Sequence, residues 1–257
     1  MKVIKKIVSV LNILSYEDEL GVAELADKLN IPVATAYRIL NDLTEDNLLE
    51  KDKNTKKYRL GWRMAQFGAT ALQQEQARFF VPLIRPYLKE INGQTRETVF
   101  LSVLKNKKFV CIAKVDGRRN VRYYAQVGKE LPVPGSAPAK ILLAFMPEAE
   151  QIKYMGNIKY IRYTPASISS EDELRGQFIR VVSQGYAVCD NEIEMGSKAI
   201  AVPIFDARDR VFASIAVIGP GSRIDEDFDN ILHSMQKAAS EASEALKLQG
   251  ACVNITY

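Results

Sequence analysis

The tightest constraint on this chain lies in residues 22–43. Val22, Leu25, Ala26 and Leu29 fall at i, i+3, i+4 and i+7, which puts them on one face of a short helix. Asn30-Ile31-Pro32 interrupts the pattern. Proline disfavours helical geometry in its predecessor and suits the first turn of a new helix, so one helix ends here and another begins. Ala36, Ile39, Leu40 and Leu43 then repeat the spacing. An earlier stripe, Ile4, Ile7, Val8, Leu11 and Leu14, marks an amphipathic helix ahead of the pair. Two helices joined by a tight turn, with a third before them, make a helix-turn-helix arrangement.

If the second stripe faces a core, Ala34, Thr35, Tyr37, Arg38 and Asn41 face outward. Small residues near the start let such a helix approach a major groove closely. Thr35, Tyr37 and Arg38 offer hydroxyl and guanidinium groups to phosphates or base edges. Taken alone, the same face suits any solvated surface helix. The next segment of chain narrows the choice. Leu48-Leu49-Glu50, a polar stretch from Lys51 to Lys57, and Tyr58-Arg59-Leu60 read as strand, turn, strand, with Tyr58 and Leu60 alternating inward. This is a wing, and Lys56 and Lys57 at its basic tip suit phosphate contacts. Residues 1–61 hold ten Lys or Arg against ten Asp or Glu, so clustering rather than net charge argues for double-stranded DNA. The whole chain, at +4, permits nucleic-acid binding without requiring it.

The chain's 257 residues suit two domains. Residues 62–77, with Trp62, Met64, Ala65, Phe67, Gly68 and Leu72 before a Gln-rich tail, read as a linker helix whose apolar residues seal either a second subunit or their own domain. Pro82 and Pro86 flank the entry to the next helix, which ends near Asn92-Gly93. Apolar runs at 98–104, 109–115 and 121–127 read as consecutive antiparallel strands, because their connections are too short for crossovers. Helices follow at 137–146, 148–155 and 170–183, the last opened by Ser170 with Glu173 as a capping box. Strands return at 186–189, 199–205 and 212–218, and a final helix spans about 225–248. The expected class is α+β: residues 1–61 a winged helix-turn-helix, 62–77 the linker, and 78–250 a larger domain on a mainly antiparallel sheet.

Catalysis finds little support. His233 is the single histidine and reads as a surface or interface residue; no GxSxG elbow, P-loop or GxGxxG fingerprint occurs. Cys111, Cys189 and Cys252 are widely spaced, giving neither a disulfide framework nor metal-ligand spacing, and Cys111 and Cys189 read as small buried strand residues. No cofactor or metal is expected. The N-terminal apolar run is cut by Asn12 and no run approaches a bilayer span, so the expectation is a soluble cytoplasmic protein with no membrane partner. A binding pocket fits better. Pro132-Val-Pro-Gly-Ser-Ala137 leads into a helix whose first N–H groups are unpaired and favour an anion.

Taken together, these segments resemble the IclR family of bacterial transcriptional regulators. Val22-Ala-Glu-Leu-Ala-Asp-Lys-Leu-Asn-Ile-Pro-Val-Ala-Thr-Ala-Tyr-Arg-Ile-Leu40 looks like its helix-turn-helix signature, and Tyr58-Arg-Leu-Gly61 like the end of its wing. Gly128-Lys-Glu-Leu-Pro132, Ser136-Ala137 and Lys140-Ile-Leu-Leu-Ala144 form a second block. Gly185-Tyr186-Ala187, Asp190, Glu192, Gly196, Ala201-Val-Pro203-Ile204, Gly219-Pro220 and Arg223 form a third. The resemblance spans roughly residues 3–248 and implies a GAF-like effector-binding domain in a homodimer or homotetramer on a palindromic operator, controlled by a small-molecule effector. Carried over by position, pocket residues are Cys189, Ala199, Ala216 and Ile218, with Tyr123, Leu131, Ala137 and Pro138 opposite and Ser136 and Asp190 alongside. Better-known members carry an Asp, a Cys and two Ser at the first four positions. Their loss here removes donors and acceptors, and burying a polar group without a partner costs about 1–3 kcal/mol. The expected effector is therefore a carboxylate with an aromatic or otherwise weakly polar body, held at the helix start. The competing class is a winged-helix protein whose larger domain is an enzyme or an interaction module.

Overall fold

A computed structural model describes residues 3–74 and 77–248. Cys252, Gln76 and the side chain of Leu72 lie outside that description. The chain divides into two compact units meeting at Arg78 and Phe79.

In the first unit, α1 (Val3–Leu14), α2 (Val22–Leu29) and α3 (Val33–Glu45) precede β1 (Leu49–Lys51) and β2 (Tyr58–Leu60). Asn30 ends α2 in the left-handed conformation (φ 50°), and the Ile31 N–H returns to the Ala26 carbonyl at 3.0 Å. Pro32 sits at the N-cap of α3, one residue earlier than a first-turn proline, and its carbonyl accepts from Ala36 N–H at 3.1 Å. Ala36, Ile39, Leu40 and Leu43 are buried as their spacing requires, and the last three share one core with Val10, Leu14, Leu25, Leu49 and Tyr58. Each fully buried Leu or Ile there contributes roughly 1.5–3 kcal/mol. Antiparallel β1 and β2 pair Leu49 with Leu60, and Leu20 bridges to Tyr58, so a third segment covers the outer edge of β2 there. Next in the chain is α4 (Trp62–Gln74).

The second unit is built on α5 (Ala77–Thr95), β3 (Thr98–Lys105), β4 (Lys108–Val115), α6 (Ala137–Ala144), α7 (Glu148–Met155), α8 (Glu171–Gln184), β5 (Ala187–Asp190), β6 (Ser197–Phe205), β7 (Val211–Pro220), α9 (Gly221–Glu226) and α10 (Phe228–Leu248). Five strands form one antiparallel sheet in the order β4-β3-β7-β6-β5. One face carries Phe100, Cys189, Ala199, Ala201 and Ala216 into a core shared with α6 and α8. On the other, Phe80 of α5 meets Phe212 of β7 edge-on at 5.1 Å, and the Tyr87 hydroxyl donates to the Glu241 carbonyl of α10 at 3.4 Å. The Gly219-Pro220-Arg223 motif has a structural cause. Arg223 clamps the buried Glu97 carboxylate through bonds of 2.6 and 2.9 Å, and a Cβ at position 219 would come within 3.0 Å of Glu97.

Four expectations need correction. Residues 121–127 are not a strand: the edge of β4 is taken by 128–131, through Gly128 N–H to Cys111 carbonyl (2.7 Å) and Leu131 N–H to Phe109 carbonyl (2.8 Å). Val121 and Tyr124 are left 70% exposed, and Tyr123 gives its carbonyl to the Thr98 hydroxyl. Pro82 and Pro86 lie inside α5 rather than before it, where each omits an N–H from the helical ladder. The last helical stretch is two helices, broken at Asp227 (φ −125°). The Ser170 cap is present, but Glu173 returns its carboxylate to Ser169 N–H at 2.9 Å, one residue before the reciprocal partner expected.

Candidate functional site

In the first unit the outward face of α3 is as its period dictates. Ala34, Tyr37, Arg38 and Asn41 are exposed and Thr35 is half-buried. Asn41 donates to Glu45 at 2.7 Å, which orients its amide along the helix. The wing tip is shaped by Asp52, whose carboxylate accepts the N–H groups of Asn54 and Thr55, both at 2.8 Å. Those two donors, Thr55 foremost, hold its pKa below the ordinary value. Lys56 follows at φ 59° and is exposed; Lys57 is half-buried and 3.6 Å from Glu19, so its charge is shared within the unit. Sequence reasoning overlooked Lys51. Its ammonium lies 5.1 Å from the Tyr58 ring and 5.9 Å from the Tyr37 ring, tying the wing to the exposed face of α3. A Lys directly across the hairpin from Tyr58 was the available signal.

In the second unit, cross-strand register assembles most of the carried-over pocket residues. Cys189 pairs with Ala199, and Ala199 with Ile218, forming one row across β5, β6 and β7. Ala216 sits two residues from Ile218 on the same face. Leu131 and Ala137 pack in the same cluster, and Ala137 and Pro138 open α6. Tyr123 is half-buried, its hydroxyl 3.8 Å from where a Cβ would stand on Gly196. Asp190 is not brought to this group. Strand alternation turns it away from Cys189, and its exposed carboxylate pairs with Lys198 at 2.8 Å.

Ser136 is the N-cap of α6, yet its hydroxyl caps nothing; Ser136 Oγ is buried with no hydrogen-bond partner among the described residues. Beside it lies a feature with no local sequence signal. Lys140, 0% exposed, donates to the Val188 carbonyl at 2.8 Å and to Glu192 Oε1. Glu192 Oε2 is buried and unpartnered among the described residues, and Gly135 lies against this side chain. Burial raises the Glu192 pKa above its ordinary value, with the Lys140 charge pulling it back. The Cys189 and Cys111 thiols are each pushed up to about 11 by burial, which keeps them protonated and unreactive at neutral pH. His233 is exposed on α10. Among the described residues no helix is long and apolar enough to cross a membrane.

Comparison with known proteins gives a consistent pattern. Residues 80–244 match the family described as bacterial transcriptional regulator IclR C-terminal, and residues 3–53 match the IclR helix-turn-helix domain. The HTH-type transcriptional regulator KdgR of Dickeya chrysanthemi is 32% identical over 225 residues, 86% of this chain and 72% of that protein. The solved IclR of Thermotoga maritima superposes with a TM-score of 0.77 at 26% identity, covering 95% of this chain and 98% of that one. An IclR homolog from Microbacterium hydrocarbonoxydans, complexed with 4-hydroxybenzoate, shares the fold with a TM-score of 0.79 at 21% identity, covering 96% and 100%.

Proposed function

We propose, given that this chain belongs to the IclR family of bacterial transcriptional regulators, with a helix-turn-helix DNA-binding domain and an effector-binding C-terminal domain, that its effector is a weakly polar organic carboxylate. The observation that carries this reading is the pairing of an apolar row, Cys189, Ala199, Ala216 and Ile218, with the orphan Ser136 hydroxyl at the start of α6. The row offers contact area and no side-chain oxygen. Ser136 Oγ and the Ala137 and Ala139 N–H groups supply donors for a carboxylate, Pro138 having no N–H and the Lys140 N–H being bonded to the Ser136 carbonyl. Glu192 Oε2 remains to accept a ligand hydroxyl, its charge offset by Lys140. An aromatic acid bearing a hydroxyl satisfies all three, and the 4-hydroxybenzoate of the Microbacterium homolog has that chemistry.

On DNA, Ala34, Thr35, Tyr37, Arg38 and Asn41 enter the major groove, while Lys56 and Lys57 reach phosphates at its edge. The chain works in the cytoplasm as a homodimer or homotetramer on a palindromic operator, binding rather than catalysing. The test is a thermal-shift panel of small keto acids and aromatic acids. Stabilisation by aromatic acids, reduced in Ser136→Ala, supports the reading; stabilisation by keto acids alone overturns it.

A further inference from the structure

The second unit carries a cleft of about 930 Å³ that is distinct from the effector site proposed at α6. Of the residues assigned to the effector pocket, Leu131 alone lines it. One wall is the β3–β4 turn, where Asn106 and Lys107 both take positive φ in a two-residue hairpin. The opposite wall is α7 with the loop after it, and segment 129–133 forms the back. Leu131, Tyr154 and Ile158 give it an apolar floor, and the Tyr154 ring is fixed against Phe109 at 5.1 Å.

The rim has a different character. Lys107, Lys108, Lys129, Lys153 and Lys159 line it, against Glu130 and Glu150. Glu130 is engaged by Lys108 at 2.5 Å and Glu150 lies 3.7 Å from Lys153. Beyond those two pairs, Lys107 and Lys159 add positive charge around an apolar floor. Such a rim concentrates anions, while the floor rewards burial of hydrocarbon. An inorganic anion would use only the rim, and a neutral hydrocarbon only the floor. The volume lies within the roughly 300–1,000 Å³ usual for small-molecule sites.

We propose that this cleft is a second ligand site, for an organic anion with an aliphatic or aromatic body, separate from the pocket at α6. Its back wall, Leu131 to Val133, runs into Ser136 three residues later, so the two sites share one stretch of backbone. The second site stands whether or not the effector reading holds, and one titration separates the two.

The probe is 2-naphthoate, titrated calorimetrically into the full chain and two variants. Lys107→Glu with Lys159→Glu reverses two rim charges and leaves the core untouched. Ser136→Ala alters the α6 pocket alone. The expected result is binding that weakens about tenfold in the charge-reversed variant, stays within about twofold in Ser136→Ala, and resists displacement by sulfate at matched ionic strength. A two-site isotherm that loses one site on charge reversal supports the proposal equally. Absence of binding, indifference to charge reversal, or a loss in Ser136→Ala as large as that on charge reversal overturns it.

Discussion

Replacing Lys140 by methionine keeps the side-chain volume but removes the only cation shown bonded to Glu192 among the described residues, together with the bond to the Val188 carbonyl. Lys140 is 0% exposed and the Glu192 side chain 8%, so water cannot readily take the place of the lost ammonium. Removing one partner of a buried ion pair costs about 3–5 kcal/mol. For a unit of this size that lowers Tm by about 6–20 °C, at roughly 2–4 °C per kcal/mol. The loss is pH-dependent, with a definite sign. Burial already raises the Glu192 pKa above 4.5, and without Lys140 that effect is unopposed. A raised folded-state value favours the fold below the unfolded value of 4.5 and loses that advantage as pH rises through the folded value. The Lys140→Met deficit is therefore largest near about pH 8 and shrinks toward about pH 5, as the carboxyl takes up its proton. Differential scanning calorimetry at both values, with Lys140→Met/Glu192→Leu recovering most of the loss, measures this. A Tm change under about 3 °C near pH 8, or an equal deficit at both values, refutes the reasoning.

Other outcomes rest on neighbouring contacts. Arg223→Ala leaves Glu97 buried with Arg119 at 3.4 Å as a partial substitute, so urea denaturation should register a loss of about 2–3 kcal/mol. Cys111 and Cys189, with thiol pKa values pushed up to about 11, should stay unlabelled by iodoacetamide near about pH 8 until the chain is unfolded, as peptide mapping would record. Lys56→Ala with Lys57→Ala should weaken binding on every DNA sequence and flatten its salt dependence by up to about 0.9 per lost contact. Because Lys57 shares its charge with Glu19, Lys56→Ala alone should account for most of that change.

The helix-turn-helix was legible because each of its signals is local. A 3.6-residue period, the Asn-Ile-Pro break and a basic hairpin each act within one turn or one strand pair. The sheet was legible wherever apolar runs met real partners. Residues 121–127 misled because their apolar residues alternate without a neighbouring strand to pair with, the β4 edge being occupied by 128–131. Asp190 neighbours Cys189 in sequence, while the pleat sends adjacent residues to opposite faces. Lys140 and Glu192 enter the sequence pattern only as motif letters. Their pairing joins positions 52 residues apart, and nothing near either one marks it as buried. The lysine-rimmed cleft is hidden for the same reason, its cations being gathered from positions 107 to 159.

The central claim is that the exposed face of α3 reads DNA sequence. Fluorescence anisotropy on DNA from upstream of the encoding gene, at fixed salt, compares the unaltered chain with Arg38→Ala on that sequence and on a scrambled one. Arg38→Ala is expected to lose about 1–3 kcal/mol of preference for the native sequence, with circular dichroism and ligand-induced thermal shift unchanged. Equal affinity of the unaltered chain for both sequences, or an Arg38→Ala variant indistinguishable from it, would contradict that claim.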